Sequence, residues 1–222
     1  MRLGVLYSGG KDSNLALYYA KKHHEVVVLL NIEPSSDDSE LFHYINNHIV
    51  KLQSKALDIP LLRKRSSDTE RDQLLVLRDL LKEAKVKYNI RGIVTGAVRS
   101  TYQSSRFQKI CRDLDLWCFN PLWLTPEEEI LDTIIKNKFV AIITRLAYEN
   151  PDVSILGKPI DKYTIDYLKQ ANVNLVGEGG EYETIVLDSP IFKKKIVVDS
   201  YIIEKNQHEA NFIITSAHLK EK

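Results

Sequence analysis

The chain predicts an α/β fold: a doubly wound parallel sheet followed by a smaller α+β C-terminal subdomain. Three observations carry this. Short apolar runs alternate with segments of helical spacing through residues 1–120. Glu25 to Ile32 (EVVVLLNI) is apolar almost throughout, as a strand covered on both faces requires. Beyond Pro121 the texture changes, and Lys195–Glu204 and Ala210–Leu219 alternate like paired strands joined through Lys205-Asn206-Gln207-His208.

The elements follow in order. Leu3–Tyr7 reads as a short buried strand, Ser8-Gly9-Gly10-Lys11-Asp12-Ser13 as a turn, and Leu15, Ala16, Tyr18 and Tyr19 as the apolar face of a helix. After the second strand comes a polar loop, Glu33–Ser39, then a helix over Tyr44–Leu57. A third strand, Ile59–Leu62, runs into Arg63-Lys64-Arg65. Ser67-x-x-Glu70 forms a capping box for a helix burying Leu74, Leu77, Leu81 and Ala84. Gly92–Val98 is strand four, Tyr102–Leu114 a helix, and Leu116–Phe119 strand five. Thr125-Pro126-Glu127-Glu128 opens another helix, with Thr at the N-cap, Pro first and Glu third. Lys138–Leu146 is a strand, Gly157-Lys158-Pro159 a break and Asp161–Ala171 a short helix. A Gly-Glu loop, Gly177–Thr184, leads into Ile185-Val186-Leu187. The division expected is 1–120 and 121–222.

With 222 residues the chain can bury a large core without metals or disulfides. Lys+Arg 31 against Asp+Glu 30 leaves a net charge of +1, so no global field draws it to nucleic acid or membrane. Its two cysteines, Cys111 and Cys118, make neither a disulfide framework nor a zinc quartet. Cys111 shares a helix face with Phe107, Ile110 and Leu114, which favours a buried small apolar role over a reactive one. No stretch is long and apolar enough for a membrane span and no signal segment opens the chain, so a cytoplasmic protein is expected.

Three segments carry chemistry. Strand, Gly-containing turn and helix at Ser8–Ser13 bring backbone N–H groups and a helix dipole to one point, which suits a phosphate. The pattern is not G-x-x-x-x-G-K-[ST]; SGGKDS resembles the pyrophosphate loop of the ATP pyrophosphatases. On that reading Gly9 and Gly10 admit the phosphates, Ser8 and Ser13 donate hydrogen bonds, and Lys11 offsets charge on the leaving pyrophosphate. Asp12 either holds Mg²⁺ or is a first-turn acid favoured by the helix dipole. The second segment, Thr95 to Arg106, sits beyond the carboxyl end of strand four, where ligands of such sheets bind. Gly96 leaves room for adenine or ribose there, and Arg99 or Arg106 offers a planar fork, though Ser100-x-x-Gln103 also reads as a helix cap. The third, Gly177-Glu178-Gly179-Gly180-Glu181-Tyr182-Glu183-Thr184, packs three carboxylates into a flexible loop. That is either a solvated surface or a site for a cation or donors.

Taken together, SGGKDS, GAVRSTYQSSR at 96–106 with Cys111 and Pro121-Leu122-Trp123, and EGGEYETIVLDSPIFKKKI at 178–196 resemble the diphthine–ammonia ligase family. Leu41-Phe42-His43 and Asp58-Ile59-Pro60-Leu61 add to the likeness. The resemblance implies an adenine nucleotide α-hydrolase-like sheet with a smaller C-terminal subdomain. It implies amidation of diphthine, a modified histidine of elongation factor 2, with ATP and ammonium. Ser8, Gly9, Gly10, Lys11, Asp12, Ser13 and Gly96 would then bind ATP. Ser100, Tyr102, Gln103 and Arg106 would line the cleft, and Glu178, Gly179, Gly180, Glu181, Tyr182 and Glu183 would form the substrate loop. Lys11, Asp12, Glu181 and Glu183 would serve catalysis, one of the two glutamates as base for ammonium. The trimethylammonium group of diphthine suits the acids, with Tyr182 or Trp123 as a π-face. Eukaryotic members are expected to carry further C-terminal domains, which makes this compact chain look archaeal. The competing readings are an adenylating enzyme of tRNA and a non-catalytic ATP-binding module; the near-zero charge speaks against tRNA. The last two strands leave an edge that suits a homodimer.

Overall fold

The computed structural model describes residues 1–36, 41–42, 44–67 and 69–222. Positions 37–39 of the expected polar loop, and His43, lie outside the described residues.

The first sheet has five parallel strands: β1 (Arg2–Leu6), β2 (Glu25–Glu33), β3 (Leu61–Arg65), β4 (Gly92–Val94) and β5 (Trp117–Phe119). Helices α1 (Lys11–His23), α2 (Val50–Leu57), α3 (Glu70–Tyr88) and α4 (Thr101–Asp113) connect them. The order β3-β2-β1-β4-β5 reverses direction between β1 and β4, so a crevice opens at the carboxyl ends of those two strands. Period-two alternation splits the strand residues between two cores. Leu3, Val5 and Leu29 join one that includes Leu15, Leu17 and Val50. Leu6, Val28 and Leu30 join the other, with Leu77, Leu81 and Phe107.

The second half forms α5 (Glu127–Lys136), β6 (Val140–Leu146), α6 (Lys162–Gln170), β7 (Tyr182–Asp188), β8 (Lys194–Lys205) and β9 (Ala210–Glu221). Its four-stranded sheet runs β7-β6-β9-β8, antiparallel throughout. Asp161 caps α6 in a capping box with Thr164. The two halves share a core: Leu3, Leu15 and Leu29 of the first sheet and its helix belong to the same buried cluster as Ile142, Val186 and Ile214. Among the described residues no helix is long and apolar enough to cross a membrane.

Several boundaries differ from the sequence reading, each for a local reason. The expected Tyr44–Leu57 helix shrinks to a 3₁₀ turn, Asn47–Ile49, and α2, because Asn46 is left-handed at φ 56. Its amide is spent on β9: Asn46 Nδ2 donates to Phe212 O and its Oδ1 accepts from Ile214 N, both at 2.8 Å. Thr69, not Ser67, caps α3, accepting from Asp72 N at 3.4 Å, while the Ser67 N–H donates to the Asp72 carboxylate at 2.6 Å. Strand four stops at Val94, and Thr95–Val98 leave the sheet for the crevice. Thr125 does not cap α5; the cap position is Pro126, which offers no side-chain acceptor. Finally, β7 begins at Tyr182, so Glu183 and Thr184 belong to a strand rather than a loop.

Candidate active site

The Ser8–Ser13 turn joins β1 to α1, and Gly10 sits at the cap with no side chain of its own to accept a bond, its N–H donating to Ser8 Oγ at 3.4 Å. The first-turn N–H groups of such a helix have no intrahelical acceptor. Gly9 is left-handed at φ 87, and a Cβ there would strike the Gln53 amide. Its carbonyl accepts from Gln53 Nε2 at 2.9 Å, Asn14 Nδ2 at 3.0 Å and Val186 N at 3.0 Å. Asn14 is held by the Tyr7 hydroxyl at 2.8 Å. Lys11 N donates to Thr184 Oγ1 at 3.0 Å. The turn is therefore clamped between α2 and β7, and the second sheet forms part of its seat.

Sequence reasoning missed these clamps. Their signal was present as two amides on buried helix positions: Asn14 beside Leu15 and Leu17, and Gln53 three residues from Val50 and from Ala56, all buried. A polar residue on an apolar face needs a partner, and here the partner is the turn.

Lys11 is 3% exposed. Its Nζ donates to Val176 O at 2.6 Å and Asp12 Oδ2 at 2.8 Å, and lies 5.1 Å from the Tyr182 ring centroid. Burial alone would lower its pKa, but the Asp12 carboxylate and Tyr182 hold it above the usual lysine range. The Tyr182 hydroxyl donates to Leu175 O at 2.7 Å, and burial pushes it up to about 12. The π-face expected for a substrate cation at Tyr182 thus already serves Lys11, and Trp123 does not line the cavity. Asp12 Oδ1 has no partner among the described residues. Ser8 Oγ donates to Ser13 Oγ at 3.3 Å, and Ser13 Oγ to Gly10 O at 3.0 Å.

A cavity of about 220 Å³ opens over this turn. Ser8, Gly10, Lys11, Asp12, Ser13, Gly96, Ser100, Gln103, Glu178, Tyr182 and Glu183 line it, as the sequence led one to expect. Gly9, Tyr102, Arg106, Gly179, Gly180 and Glu181 do not. Arg106 ion-pairs with Glu70 and lies 3.4 Å over the Tyr102 ring centroid, so both face α3. Ser100 does cap α4, accepting from Gln103 N at 3.2 Å. The expected role of Gly96 needs correcting: a Cβ there would sit 2.8 Å from the backbone of Asp12 and Ser13. Its missing side chain admits the phosphate turn itself. An apolar end, lined by Leu30, Ile32, Leu41, Phe42 and Phe107, offers the surface a flat base needs. Asn31, 2% exposed, lines the same cavity; its Nδ2 donates to Tyr7 O at 2.9 Å and its Oδ1 has no partner among the described residues.

The three loop carboxylates are not massed together. Glu178 accepts from Arg99 N at 3.2 Å. Burial raises its pKa, and the nearby Asp12 charge adds to the effect. Glu183 is paired with Arg145 at 3.3 Å, and Arg145 also reaches Glu209 at 3.0 Å. Glu181 lies outside the cavity lining, and its Oε2 has no partner among the described residues. The two cysteines line a separate groove with Trp117. Each is free, and the Cys111 thiol hydrogen-bonded to Cys118 lowers the latter's pKa while its own rises.

The site can hold a nucleoside triphosphate by its phosphates and present carboxylates to a second substrate. Comparison with known proteins gives this geometry a family. Residues 1–117 match the diphthamide synthase N-terminal domain and residues 126–220 its C-terminal domain. The chain belongs to the diphthamide synthase family. It is 36% identical over 245 residues to a diphthine–ammonia ligase of Bos taurus, covering 99% of this chain and 90% of that protein. The same figures hold for the diphthine–ammonia ligase of Homo sapiens. A third, from Schizosaccharomyces pombe, is 31% identical over 243 residues, covering all of this chain but 40% of the relative. The S. pombe relative is therefore much longer than this chain and the mammalian ones are not, so compactness says nothing about an archaeal source.

Proposed function

We propose that this chain is an ATP-dependent diphthine–ammonia ligase, converting the diphthine carboxylate of elongation factor 2 to its amide with ammonium. The observation that carries the reading is the junction of the phosphate turn with the Val176–Thr184 segment around one cavity. A carboxylate does not react with ammonia at neutral pH, because hydroxide is a poor leaving group. Attack of that carboxylate on the α-phosphate gives an acyl-adenylate and pyrophosphate, and ammonia then displaces AMP. The turn's N–H groups and Lys11 would offset the charge that develops on pyrophosphate. Leu41, Phe42 and Phe107 would take the adenine.

Asp12 fits a magnesium ion. Its Oδ2 is engaged by Lys11 while Oδ1 has no partner among the described residues, and Mg²⁺ commonly takes one or two carboxylates together with phosphate oxygens. When bound, the ion would neutralise phosphate charge. Glu178 would face the trimethylammonium group of diphthine. Glu183 lines the cavity and would accept the proton that ammonium must lose, oriented by Arg145; Glu181 would act in binding the protein substrate at the rim. The cytoplasm, where elongation factors work, would be its compartment.

The cysteines lie in a different groove from the phosphate turn, so nothing favours a sulfur-transfer reading. The test combines the protein with ATP, Mg²⁺, ammonium and diphthine-bearing elongation factor 2. The reading expects AMP and pyrophosphate as the nucleotide products, and a carboxylate-to-amide mass shift dependent on all four. ADP as product, or amide formed without ATP, would overturn it.

A further inference from the structure

Among the edge strands of the two sheets, β3 and β8 are protected differently. At the edge of the first sheet, β3 carries Arg63, Lys64 and Arg65 in succession, and such charge discourages pairing with another strand. At the edge of the second sheet, β8 is 12 residues long, and positions 199–205 are all exposed. Its outermost stretch carries Tyr201, Ile202 and Ile203 in succession, 53%, 47% and 44% exposed. Tyr201 is already immobilised, stacked on Phe212 at 4.2 Å between centroids, so little freedom remains to be lost on contact. The other end of β8 is different: it is covered by α2, where Lys193 N donates to Ala56 O at 2.6 Å. The unpaired edge is thus confined to its distal half.

We propose that this edge pairs antiparallel with β8 of a second copy, about a two-fold axis through Ile202, joining two four-stranded sheets into one. The argument is one of register. Directly opposed residues of an antiparallel pair share the same hydrogen-bonding orientation, so a two-fold axis must pass through a residue, not between two. An axis at Tyr201 would set Ile203 against Asp199 and Lys205 against Val197. An axis at Ile203 would set Ile202 against Glu204 and Tyr201 against Lys205. With the axis at Ile202, Ile202 meets its own copy, Tyr201 meets Ile203, and Ser200 meets Glu204. At the end of the contact Lys205 then comes to Asp199. Aromatic against β-branched and acid against base are the favourable cross-strand pairs, and one register supplies both. The pairing of β8 with β9 is regular from Tyr201 to Lys205 and irregular at Asp199 and Ser200. The apolar triplet is therefore the centre of the contact, and the Asp199 carboxylate, 2.8 Å from His218 Nδ1, its rim.

Sedimentation of the full chain over a range of concentrations tests this. The native chain is expected to show a monomer–dimer equilibrium, and Ile202→Lys, which sets two like charges on the axis, to be monomeric with the circular dichroism of the folded native chain. Cysteine substitution checks the register even if that variant folds poorly. Ile202→Cys is expected to give a disulfide-linked dimer under mild oxidation, because directly opposed Cα atoms lie within bridging distance. Tyr201→Cys is expected not to, since its opposite is Ile203. A native chain that stays monomeric throughout, an Ile202→Lys chain that still dimerises, or cross-linking at 201 in place of 202 would each overturn the proposal. So would occupation of this edge by elongation factor 2 on a monomeric ligase.

Discussion

Gln53 is fully buried, yet its amide nitrogen reaches both Gly9 O and Val186 O. Gln53→Leu would remove both bonds from a buried site. It is expected to cost about 1–3 kcal/mol in urea unfolding and to weaken ATP binding by calorimetry. Arg145 presents a different case. At 19% side-chain exposure it separates Glu183 from Glu209. Arg145→Met leaves the two acids facing each other and is expected to destabilise by about 1–3 kcal/mol, less than for a wholly buried pair. For Glu178 the sign runs the other way from a salt-bridged acid. The folded protein holds its proton more tightly than the unfolded chain, so stability from this residue falls as pH rises from the ordinary carboxylate range through its raised value. Cation binding needs the ionised form. The acid limb of kcat/KM for the diphthine substrate should therefore lie above the ordinary carboxylate range, and Glu178→Gln should abolish that limb.

Gly96 shows how elements meet. The loop after β4 touches the backbone of α1 at its first turn, and a methyl group there has no flexible neighbour to displace. Gly96→Ala is expected to cost about 1–3 kcal/mol by overpacking and to lower ATP affinity, whereas a substitution that merely filled a base pocket would leave stability alone. This site was half legible in the sequence. Strand-turn-helix at Leu3–Tyr19 announced a phosphate seat, because its residue types have few other uses in that order. What β7 contributes was hidden, since Thr184 and Val186 reach the turn across more than half the chain. Periodicity reports the face a residue shows, not the partner it finds. For the same reason Arg106 read as a cleft residue: nothing local reveals that Glu70 claims it. The apolar end at Phe42 and Phe107 was missed because isolated aromatics look like ordinary core.

The shared core has a consequence for the whole molecule. Leu3 and Val5 pack in the cluster that contains Val186, Phe192 and Ile214. A fragment of residues 1–120 would expose that surface to water, and its phosphate turn would lose Val186, Thr184 and Val176. Such a fragment is expected to give a poorly dispersed amide NMR spectrum and to bind no ATP, while the full chain gives a dispersed spectrum and binds ATP. The alternating first half was readable from the sequence as a parallel sheet because strands buried on both faces leave an unbroken apolar trace. That two sheets share one core was not, because helical and strand periods are satisfied equally well by separate domains.

The tether from Lys11 Nζ to Val176 O closes the account. Two oxygens of the fold itself, of Val176 and Asp12, hold this ammonium, so entry of ATP exchanges one set of oxygens for another. When pyrophosphate departs, the original acceptors wait within the fold to take the lysine back. The by-product is therefore held less firmly than a bare buried ammonium would hold it, and the enzyme should be weakly inhibited by pyrophosphate. Steady-state rates at rising pyrophosphate measure this directly, and weak competition against ATP is the expected result.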